Sequence, residues 1–182
     1  VLVIGGGAVG TTAARVAVGM GADVVILERS LRRIRQLDDL FDGRAKVIMS
    51  DPATVAEELV AADLVIGAVL VPGRRAPHLI GLEMLGEMRE GAVVVDVAID
   101  QGGCSEASRP TTHENPVFSV EGVLHYCVAN MPGAVPPTST RALTNATLPY
   151  ALELADAGID GALASNPELA SGLNVRAGQI VH

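Results

Sequence analysis

Three glycines near the start of the chain have the spacing of a dinucleotide-binding loop. Gly5, Gly7 and Gly10 form a G-x-G-x-x-G pattern that directly follows the apolar run Val1–Ile4 and opens a stretch with helical spacing. In such a loop the first glycine permits a tight turn, the second lets the backbone approach a pyrophosphate, and the third lets helix and strand pack closely. The N–H groups at the start of the helix attract the phosphates. The alternative is a glycine-rich turn that serves only helix–sheet packing.

An acidic side chain ends the next apolar run, where a dinucleotide would place its adenosine ribose. Glu28 could accept hydrogen bonds from both ribose hydroxyls and would repel a 2′-phosphate, which favours NAD over NADP. Arg29, Arg32 and Arg33 follow it, and a guanidinium there could pair with that phosphate. Alternatively, these arginines begin a solvated helix, or one of them lies along the adenine or the phosphates, which is compatible with NAD.

Two carboxylates flank the end of a later apolar run, Val93–Val97. In doubly wound sheets, ligands bind outside the carboxyl ends of the strands, so we predict that Asp100 faces the nicotinamide half of a crevice. It precedes Gln101-Gly102-Gly103, a permissive backbone that suits a residue close to a cofactor ring. We interpret Asp96 as a strand-end carboxylate that accepts loop N–H groups. The residue pattern alone leaves a functional and a structural role for Asp100 equally open.

Apolar runs alternate with helical stretches over most of the chain. We predict strands at Val1–Ile4, Asp23–Leu27, Lys46–Met49, Leu64–Val71, Val93–Val97 and Val123–Val128. We predict helices at Ala8–Met20, Leu31–Leu40, Pro52–Ala61 and Leu82–Met88, and a polar, glycine-rich stretch at Gln101–Pro116. This alternation indicates βαβ units, and therefore a Rossmann-type, doubly wound α/β fold with a mostly parallel sheet and helices on both faces.

The character of the sequence changes near residue 137, where we place a domain boundary. Residues 1–137 are predicted to form an NAD-binding domain, and residues 138–182 a helical segment. The predicted features of that segment are caps at Thr138-Ser139-Thr140, a helix from about Thr140 to Ala157 with a kink at Pro149, a short helix at Pro167–Ser171 and an irregular tail.

Charge and composition exclude several partners. The formal net charge of −8 argues against nucleic acid and anionic membranes, since both need basic patches. The sequence contains no apolar run long enough to span a bilayer, no signal peptide and no cluster with metal-ligand spacing. Cys104 and Cys127 are isolated, which predicts reduced thiols in a cytoplasmic protein. The chain lacks an initiator Met and starts inside a predicted strand, which we interpret as a fragment or excised domain.

Longer sequence blocks carry a specific resemblance. They are Gly5–Thr11, Gln36–Leu40, Asp63–Leu70, Val97–Cys104, Ser108–His113, His125-Tyr126 and Val128–Pro136. In this order they resemble the cofactor-binding portion of the L-alanine dehydrogenase family, with part of the segment that returns to its substrate domain. The nucleotide-binding subunit of proton-pumping nicotinamide nucleotide transhydrogenase has the same architecture, but the Asp100–Cys104 and Ala129–Gly133 blocks resemble the dehydrogenase branch.

The resemblance implies an activity and a set of site residues. The family reversibly oxidises L-alanine with NAD to pyruvate, ammonium and NADH, and Asp100 matches the residue that it needs for turnover. The positions that match its NAD site are Gly5, Gly7, Ala8, Val9, Gly10, Glu28, Arg33, Ser50, Ala68, Val69, Leu70, Ile99, Asp100, Val128, Asn130 and Met131. The family more often has Asp where this chain has Glu28, which implies a small shift of the ribose.

The resemblance also implies that the substrate half should precede residue 1. It carries the Arg and Lys that hold pyruvate and the His that moves protons, so this chain alone is expected to bind NAD(H) without turning over alanine. His125 is interpreted as structural and His113 as a brace for the long loop. The family is usually a homohexamer, and the apolar stretch Leu143–Leu154 predicts an oligomer or a partner domain.

Two other readings of the chain remain open at this point. One is a non-catalytic NAD-binding or transhydrogenase-like module that hands hydride to a partner protein. The other is a Rossmann protein for a different ligand, such as S-adenosylmethionine.

Overall fold

The computed structural model describes residues 1–71 and 73–181. The chain divides into two compact units, Val1–Met131 and Pro132–His182. All of the predicted site residues lie in the first unit. His182, the last residue of the predicted helical segment, lies outside the described residues. The assignment of residues 1–137 to NAD binding and of 138–182 to a substrate domain stays a prediction.

A seven-stranded sheet forms the framework of the first unit. Its strands are β1 (Leu2–Ile4), β2 (Val25–Glu28), β3 (Lys46–Met49), β4 (Leu64–Gly67), β5 (Val93–Asp96), β6 (Val117–Val120) and β7 (Val123–Tyr126). Their spatial order is β3-β2-β1-β4-β5-β7-β6. The pairs from β3 to β7 are parallel, whereas β6 runs antiparallel to β7. The strand order reverses between β1 and β4, which is where doubly wound sheets bind ligands.

Helices cover both faces of this sheet, as the sequence predicts. They are α1 (Ala8–Gly19), α2 (Leu31–Phe41), α3 (Pro52–Ala61) and α4 (Leu82–Gly86). Two separate clusters of buried side chains result. Leu2 and Ile4 of β1 pack in the cluster that contains residues of α3 and α4, whereas Val3 packs in the cluster that contains residues of α1 and α2. A strand buried on both faces has no polar positions, which explains its continuous apolar sequence. The Rossmann-type fold is confirmed.

Strand β4 is shorter than predicted. It ends at Gly67 instead of Val71, because its neighbours β1 and β5 end opposite Gly67, at Ile4 and Asp96. Ala68 makes the last backbone bond to β1, from its N–H to the Ile4 carbonyl oxygen at 2.8 Å, and the next residues, Val69–Val71, pair with no described strand. They leave the sheet and become available to line a crevice.

The sequence prediction omitted strand β6. This strand pairs with β7 through a two-residue turn in which Glu121 and Gly122 have φ angles of 50° and 76°. Two consecutive residues with positive φ match the twist of an antiparallel hairpin. The polar stretch before Pro116 therefore ends in a hairpin, and the antiparallel strand forms the edge of the sheet.

The second unit is mainly helical. It contains α5 (Pro136–Ser165) and α6 (Pro167–Ser171), followed by the paired strands β8 (Val175–Arg176) and β9 (Gln179–Ile180), where an irregular tail was predicted. Helix α5 is interrupted at Gly158, with φ 69° and ψ 169°, and not at Pro149, which stays within the helix. A glycine adopts that backbone geometry without strain, so it absorbs the change of direction.

The start of α5 also differs from the prediction. Ser139 lies inside the helix, where its hydroxyl donates to the carbonyl oxygens of Pro132 and Val135, at 2.9 and 3.0 Å. It is therefore not an N-cap. No described helix is long and apolar enough to cross a membrane.

Strand β7 carries a fully buried histidine. The ring of His125 stacks on Phe118 with 5.1 Å between centroids, and the guanidinium of Arg109 lies 4.3 Å from the Phe118 centroid. Nδ1 of His125 lies 3.1 Å from the Val123 carbonyl oxygen, while its Nε2 has no hydrogen-bond partner among the described residues. Burial lowers the pKa of His125, against smaller raising effects from Val123 and Asp96. These contacts support the structural interpretation of this ring.

We expect His125 to make the stability of the chain fall in acid. The unfolded ring binds a proton near its ordinary pKa of 6.5, whereas the folded ring resists it. The neutral buried ring therefore contributes its full stabilisation above the pKa of the unfolded ring. As the pH falls below that pKa, the free energy of unfolding decreases by up to about 1.4 kcal/mol per pH unit. His125→Phe keeps an aromatic ring in the stack and should remove this loss.

Urea unfolding between about pH 5 and about pH 8 measures the effect. The free energy of unfolding of the His125→Phe variant should fall less steeply in acid than that of the unmodified chain. His78→Gln is the matched control at an exposed position, and its curve should run parallel to that of the unmodified chain. Equal slopes for His125→Phe and the unmodified chain would contradict a buried neutral ring.

Candidate functional site

The glycine-rich turn joins β1 to α1 and leaves space beside its second glycine. A Cβ on Gly5, which has φ +103°, would lie 2.6 Å from the Ala68 carbonyl oxygen, and one on Gly10 would lie 1.9 Å from the Gly5 carbonyl oxygen. Both positions therefore need glycine for the fold itself. A Cβ on Gly7 would meet no atom of the described residues within 4 Å. The space beside Gly7 is therefore open to a ligand that approaches the backbone.

The start of α1 offers backbone donors to that space. Gly7 is the N-cap residue, and no side chain in the described part of the protein caps the helix. The first helical hydrogen bond runs from the Thr11 N–H to the Gly7 carbonyl oxygen, at 2.9 Å. The amides of Ala8, Val9 and Gly10 precede that bond and point out of the helix end. Such donors, with the positive end of the helix dipole, stabilise an anion such as a pyrophosphate.

The carboxylate of Glu28, at the end of β2, is held by three backbone donors. Its Oε2 accepts from the Gly6 N–H at 2.9 Å, and its Oε1 accepts from the Arg29 and Ser30 N–H groups at 2.7 and 2.9 Å. These bonds fix the orientation of the half-buried side chain. A carboxylate has about four acceptor positions, so one remains available for a ribose hydroxyl.

A crevice of about 640 Å³ opens at the carboxyl ends of β1, β2, β3 and β4. The predicted site residues that line it are Gly5, Gly7, Glu28, Ser50, Ala68, Val69 and Leu70. Ser50 is held beside Glu28, because its N–H donates to the Glu28 carbonyl oxygen at 3.0 Å. The volume is in the range of pockets that hold a small molecule or cofactor.

A second cavity, of about 240 Å³, continues the crevice toward β5. The residues that it shares with the larger cavity are Ala68, Val69 and Leu70. Val9 and Asp100 also line it. The two cavities share this wall and together form the crevice, with Gly7 and Glu28 in the larger cavity and the exposed Asp100 in the smaller one.

Buried hydrogen bonds position the segment that carries Asp100. This residue lies in a 3₁₀ helix, Val97–Gln101, directly after β5. The fully buried Asp96 accepts hydrogen bonds from the N–H groups of Ala98 and Cys104, at 3.0 and 2.7 Å, and from the Ser108 hydroxyl. The interpretation of Asp96 as a strand-end acceptor for loop N–H groups is confirmed.

Gln101 ties the wall of the crevice to the 3₁₀ helix. Its side-chain Oε1 accepts from the Val71 N–H at 3.4 Å, and its carbonyl oxygen accepts from the Ala76 N–H at 2.9 Å. The Leu79 N–H donates to the Cys104 carbonyl oxygen at 2.7 Å. Sequence reasoning placed Gln101 only in a permissive loop. The feature of the sequence that could have indicated this role is the side-chain amide of Gln101, because an amide can hydrogen-bond to the backbone of a neighbouring loop.

Arg33 lies against the glycine turn and outside the lining of both cavities. Its Nε donates to the Gly6 carbonyl oxygen at 2.8 Å, its Nη2 to the Thr11 hydroxyl at 2.9 Å and its Nη1 to the Gln36 Oε1 at 3.2 Å. Arg29 lines the larger cavity instead. Direct contact between Arg33 and an adenosine stays a prediction.

Four residues predicted around the nicotinamide also lie outside the lining of the two cavities. Ile99 and Val128 are buried, so their side chains are not free to contact a ligand in this conformation. Met131 is half-buried, and Asn130 is exposed with φ 57°. Nε2 of His113 lies 3.1 Å from the Asn130 carbonyl oxygen, in agreement with a bracing role for this histidine. Nicotinamide contacts of these four residues stay predictions.

The two cysteines belong to the packed interior near Asp96. Burial raises the pKa of the Cys104 thiol well above its ordinary value, and the nearby Asp96 carboxylate raises it further. Burial also raises the pKa of Cys127. Protonated, buried thiols are poor nucleophiles. No group of three or more His, Cys, Asp or Glu residues that could hold a metal occurs within residues 1–71 and 73–181.

Alanine substitutions should distinguish Gly10, which the fold requires, from Gly7, which lies beside open space. Gly10→Ala is expected to lower the free energy of unfolding by about 1–3 kcal/mol, because its Cβ would overlap the Gly5 carbonyl. Gly7→Ala should change it by less than about 1 kcal/mol, since φ is −68° and the space is open. Denaturant unfolding of both variants measures this contrast. Equal destabilisation would contradict the described turn.

Comparison with known proteins identifies relatives of the whole chain. The family model described as "Alanine dehydrogenase/PNT, C-terminal domain" matches residues 1–182. The alanine dehydrogenase of Halomonas elongata is 56% identical over 182 residues, which is 100% of this chain and 49% of that protein. The chain spans about half the length of the curated relatives it matches.

Solved structures agree with this assignment. A structure titled L-alanine dehydrogenase has a TM-score of 0.90 and 51% identity, covering 100% of this chain and 50% of that one. A transhydrogenase from Sinorhizobium meliloti has a TM-score of 0.77 and 29% identity, covering 100% and 48%. With the glycine turn, Glu28 and Asp100 along one crevice, and a match that runs from the first residue to the last, the chain belongs to the alanine dehydrogenase/PNT C-terminal domain family.

Proposed function

We propose that this chain is the NAD(H)-binding part of an alanine dehydrogenase, which reversibly converts L-alanine and NAD to pyruvate, ammonium and NADH. The observation that carries the proposal is the crevice formed by two adjoining cavities, one lined by Glu28 and Gly7 and the other by Asp100. The 56% identity to the Halomonas elongata alanine dehydrogenase supports the choice of substrate.

The glycine turn and Glu28 suit the pyrophosphate and the adenosine ribose of a dinucleotide. The open space at Gly7 accommodates a pyrophosphate next to the first-turn amides of α1. Glu28 is placed to accept a ribose hydroxyl, and its charge opposes a 2′-phosphate. Among the described residues that line the same cavity, Arg29 is the cation that could attract that phosphate. We propose NAD as the cofactor, because the carboxylate is held in place by three donors.

Asp100 is the proposed catalytic residue. Bound NAD supplies the hydride acceptor of the reaction. The exposed carboxylate lies in the cavity next to Val9 and Leu70, where it can orient the substrate ammonium or a water molecule. A negative charge there also favours the positive charge of the oxidised nicotinamide ring. The rigid hydrogen bonds of Asp96 keep the segment in place.

We also propose the assembly in which this part works. A substrate half supplies the groups that bind pyruvate and move protons, and the protein acts as a homo-oligomer, a hexamer as the family implies. Leu143, Leu148 and Leu152 of α5 support an apolar contact, since each is at least half exposed. A cytoplasmic location, expected from the isolated cysteines, stays a prediction.

A transhydrogenase-like module is the second candidate function. The Sinorhizobium meliloti transhydrogenase matches the whole chain with a TM-score of 0.77, which favours this possibility over other nucleotide-binding modules. Its identity of 29% is well below the 51% of the L-alanine dehydrogenase structure. Such a module would hand hydride to a partner protein and would not form NADH from alanine.

Calorimetric titration with NADH and with NADPH tests the cofactor proposal. We expect NADH to bind at least about tenfold more tightly than NADPH, because Glu28 repels the 2′-phosphate. Glu28→Gln should weaken NADH binding and reduce this preference, while Glu57→Gln, at an exposed position on α3, should leave both affinities unchanged. Equal binding of the two nucleotides by the unmodified chain would contradict NAD selectivity. Binding of S-adenosylmethionine without NADH would overturn the assignment altogether.

Fusion of the chain to the N-terminal half of the Halomonas elongata relative tests the catalytic proposal. Alanine-dependent formation of NADH is the expected result, and its absence in a fusion that binds NADH would favour the transhydrogenase-like module. Asp100→Asn should abolish turnover, because the carboxylate charge is lost, and leave the NADH dissociation constant within about twofold. Asp39→Asn, exposed on α2, is the control. Loss of NADH binding equal to the loss of activity would contradict this role.

A further inference from the structure

Gly6, between Gly5 and Gly7 of the predicted phosphate loop, uses both of its backbone groups. Its N–H donates to Oε2 of Glu28 at 2.9 Å. Its carbonyl oxygen accepts from Nε of Arg33 at 2.8 Å and from the Thr11 hydroxyl at 3.0 Å. Gly6 is buried, and a Cβ there would lie 2.4 Å from Cδ1 of Leu37. The residue is therefore a junction between the turn, the end of β2 and helix α2.

Arg33 closes this junction into a ring of hydrogen bonds. While its Nε bonds the Gly6 carbonyl, its Nη2 donates to the hydroxyl of Thr11, which itself bonds the same carbonyl. The planar fork of a guanidinium suits two acceptors at fixed separation. The side chain is half-buried and does not line either cavity of the crevice, so its charge is directed at the turn.

The bond to Gly6 also determines what the next amide can do. The Gly6 carbonyl and the Gly7 N–H belong to one peptide group, and the described chain has no cis peptide. In a trans peptide the C=O and N–H bonds point in opposite directions. With the carbonyl held by Arg33, the Gly7 N–H points away from α2. A cation on the carbonyl oxygen also polarises the peptide and makes that N–H a stronger donor.

We propose that Arg33 is a positioning residue for the pyrophosphate, because it holds and polarises the Gly6–Gly7 peptide. The inference rests on the proposed function, since it assumes that a dinucleotide occupies the crevice. Glu28 fixes the preceding peptide through the Gly6 N–H, so two oppositely charged side chains orient two consecutive peptides of the turn.

The test compares Arg33→Met and Arg33→Lys with Arg35→Met, an exposed position on the same helix. NADH affinity of the full chain is measured by calorimetry at a temperature where each variant is folded. Arg33→Met should weaken binding about tenfold. Arg33→Lys should weaken it less, because lysine keeps the positive charge and loses only the planar fork. Arg35→Met should bind as the unmodified chain does.

The amide proton resonance of Gly7 gives a second readout that a purely stabilising side chain would not change. In the nucleotide-free chain, Arg33→Met should move it upfield, because the peptide loses its polarising partner, and Arg35→Met should not move it. NADH affinity within twofold of the unmodified chain would overturn the proposal. So would weakened binding with an unchanged Gly7 resonance, since Arg33 would then act only through direct contact with the nucleotide.

The proposed function and the positioning role of Arg33 can be contradicted separately. If the unmodified chain binds no NADH, the proposed function is wrong, and the positioning role falls with it, whatever the Gly7 resonance does. If the unmodified chain binds NADH and Arg33→Met binds it equally well, only the positioning role is wrong. If Arg33→Met does not fold, Arg33→Lys takes its place, with a smaller loss of affinity expected and an unchanged affinity contradicting the proposal.

Discussion

The close approach of α1 to the end of β1 is the constraint on which the rest of the crevice depends. Gly10 leaves no room for a Cβ against the Gly5 carbonyl, and Gly5 itself has none against Ala68 of the neighbouring chain segment. This contact places the N-terminus of α1 at the switch point between β1 and β4, where the strand order reverses. A wider turn would move the helix amides, and the donors would no longer face the space beside Gly7.

Two carboxylates in and near the crevice, Glu28 and Asp96, have different roles. Asp96 is fully buried and its bonds go to the protein, so it organises the segment after β5 and supports the exposed Asp100 next to it. Glu28 is half-buried and its oxygens are shared between backbone donors and open space. A buried acceptor with all of its partners stabilises structure, whereas a partly solvated one retains capacity for a ligand.

Much of the architecture could be predicted because its physical causes are local. Apolar runs predict buried parallel strands, and the spacing of Gly5, Gly7 and Gly10 predicts a turn into a helix. The features that were missed depend on partners distant in sequence. The end of β4 at Gly67 depends on where β1 and β5 end, and the direction of the Arg33 guanidinium depends on the buried Gly6 carbonyl. The break at Gly158 reflects a backbone geometry that a helical pattern does not encode.

The triple hydrogen bonding of Glu28 has a consequence for changing cofactor preference by design. Replacing this residue with a small neutral one would remove the repulsion toward a 2′-phosphate, but it would also strip the acceptor from the amides of Gly6, Arg29 and Ser30. Of these three donors Gly6 is the buried one, and a buried donor without a partner is costly, whereas the exposed Arg29 and Ser30 amides can bond water. Glu28 therefore determines both the preference between NAD and NADP and the conformation of the loop. A successful redesign must supply a new acceptor for the loop amides as well as a cation for the phosphate.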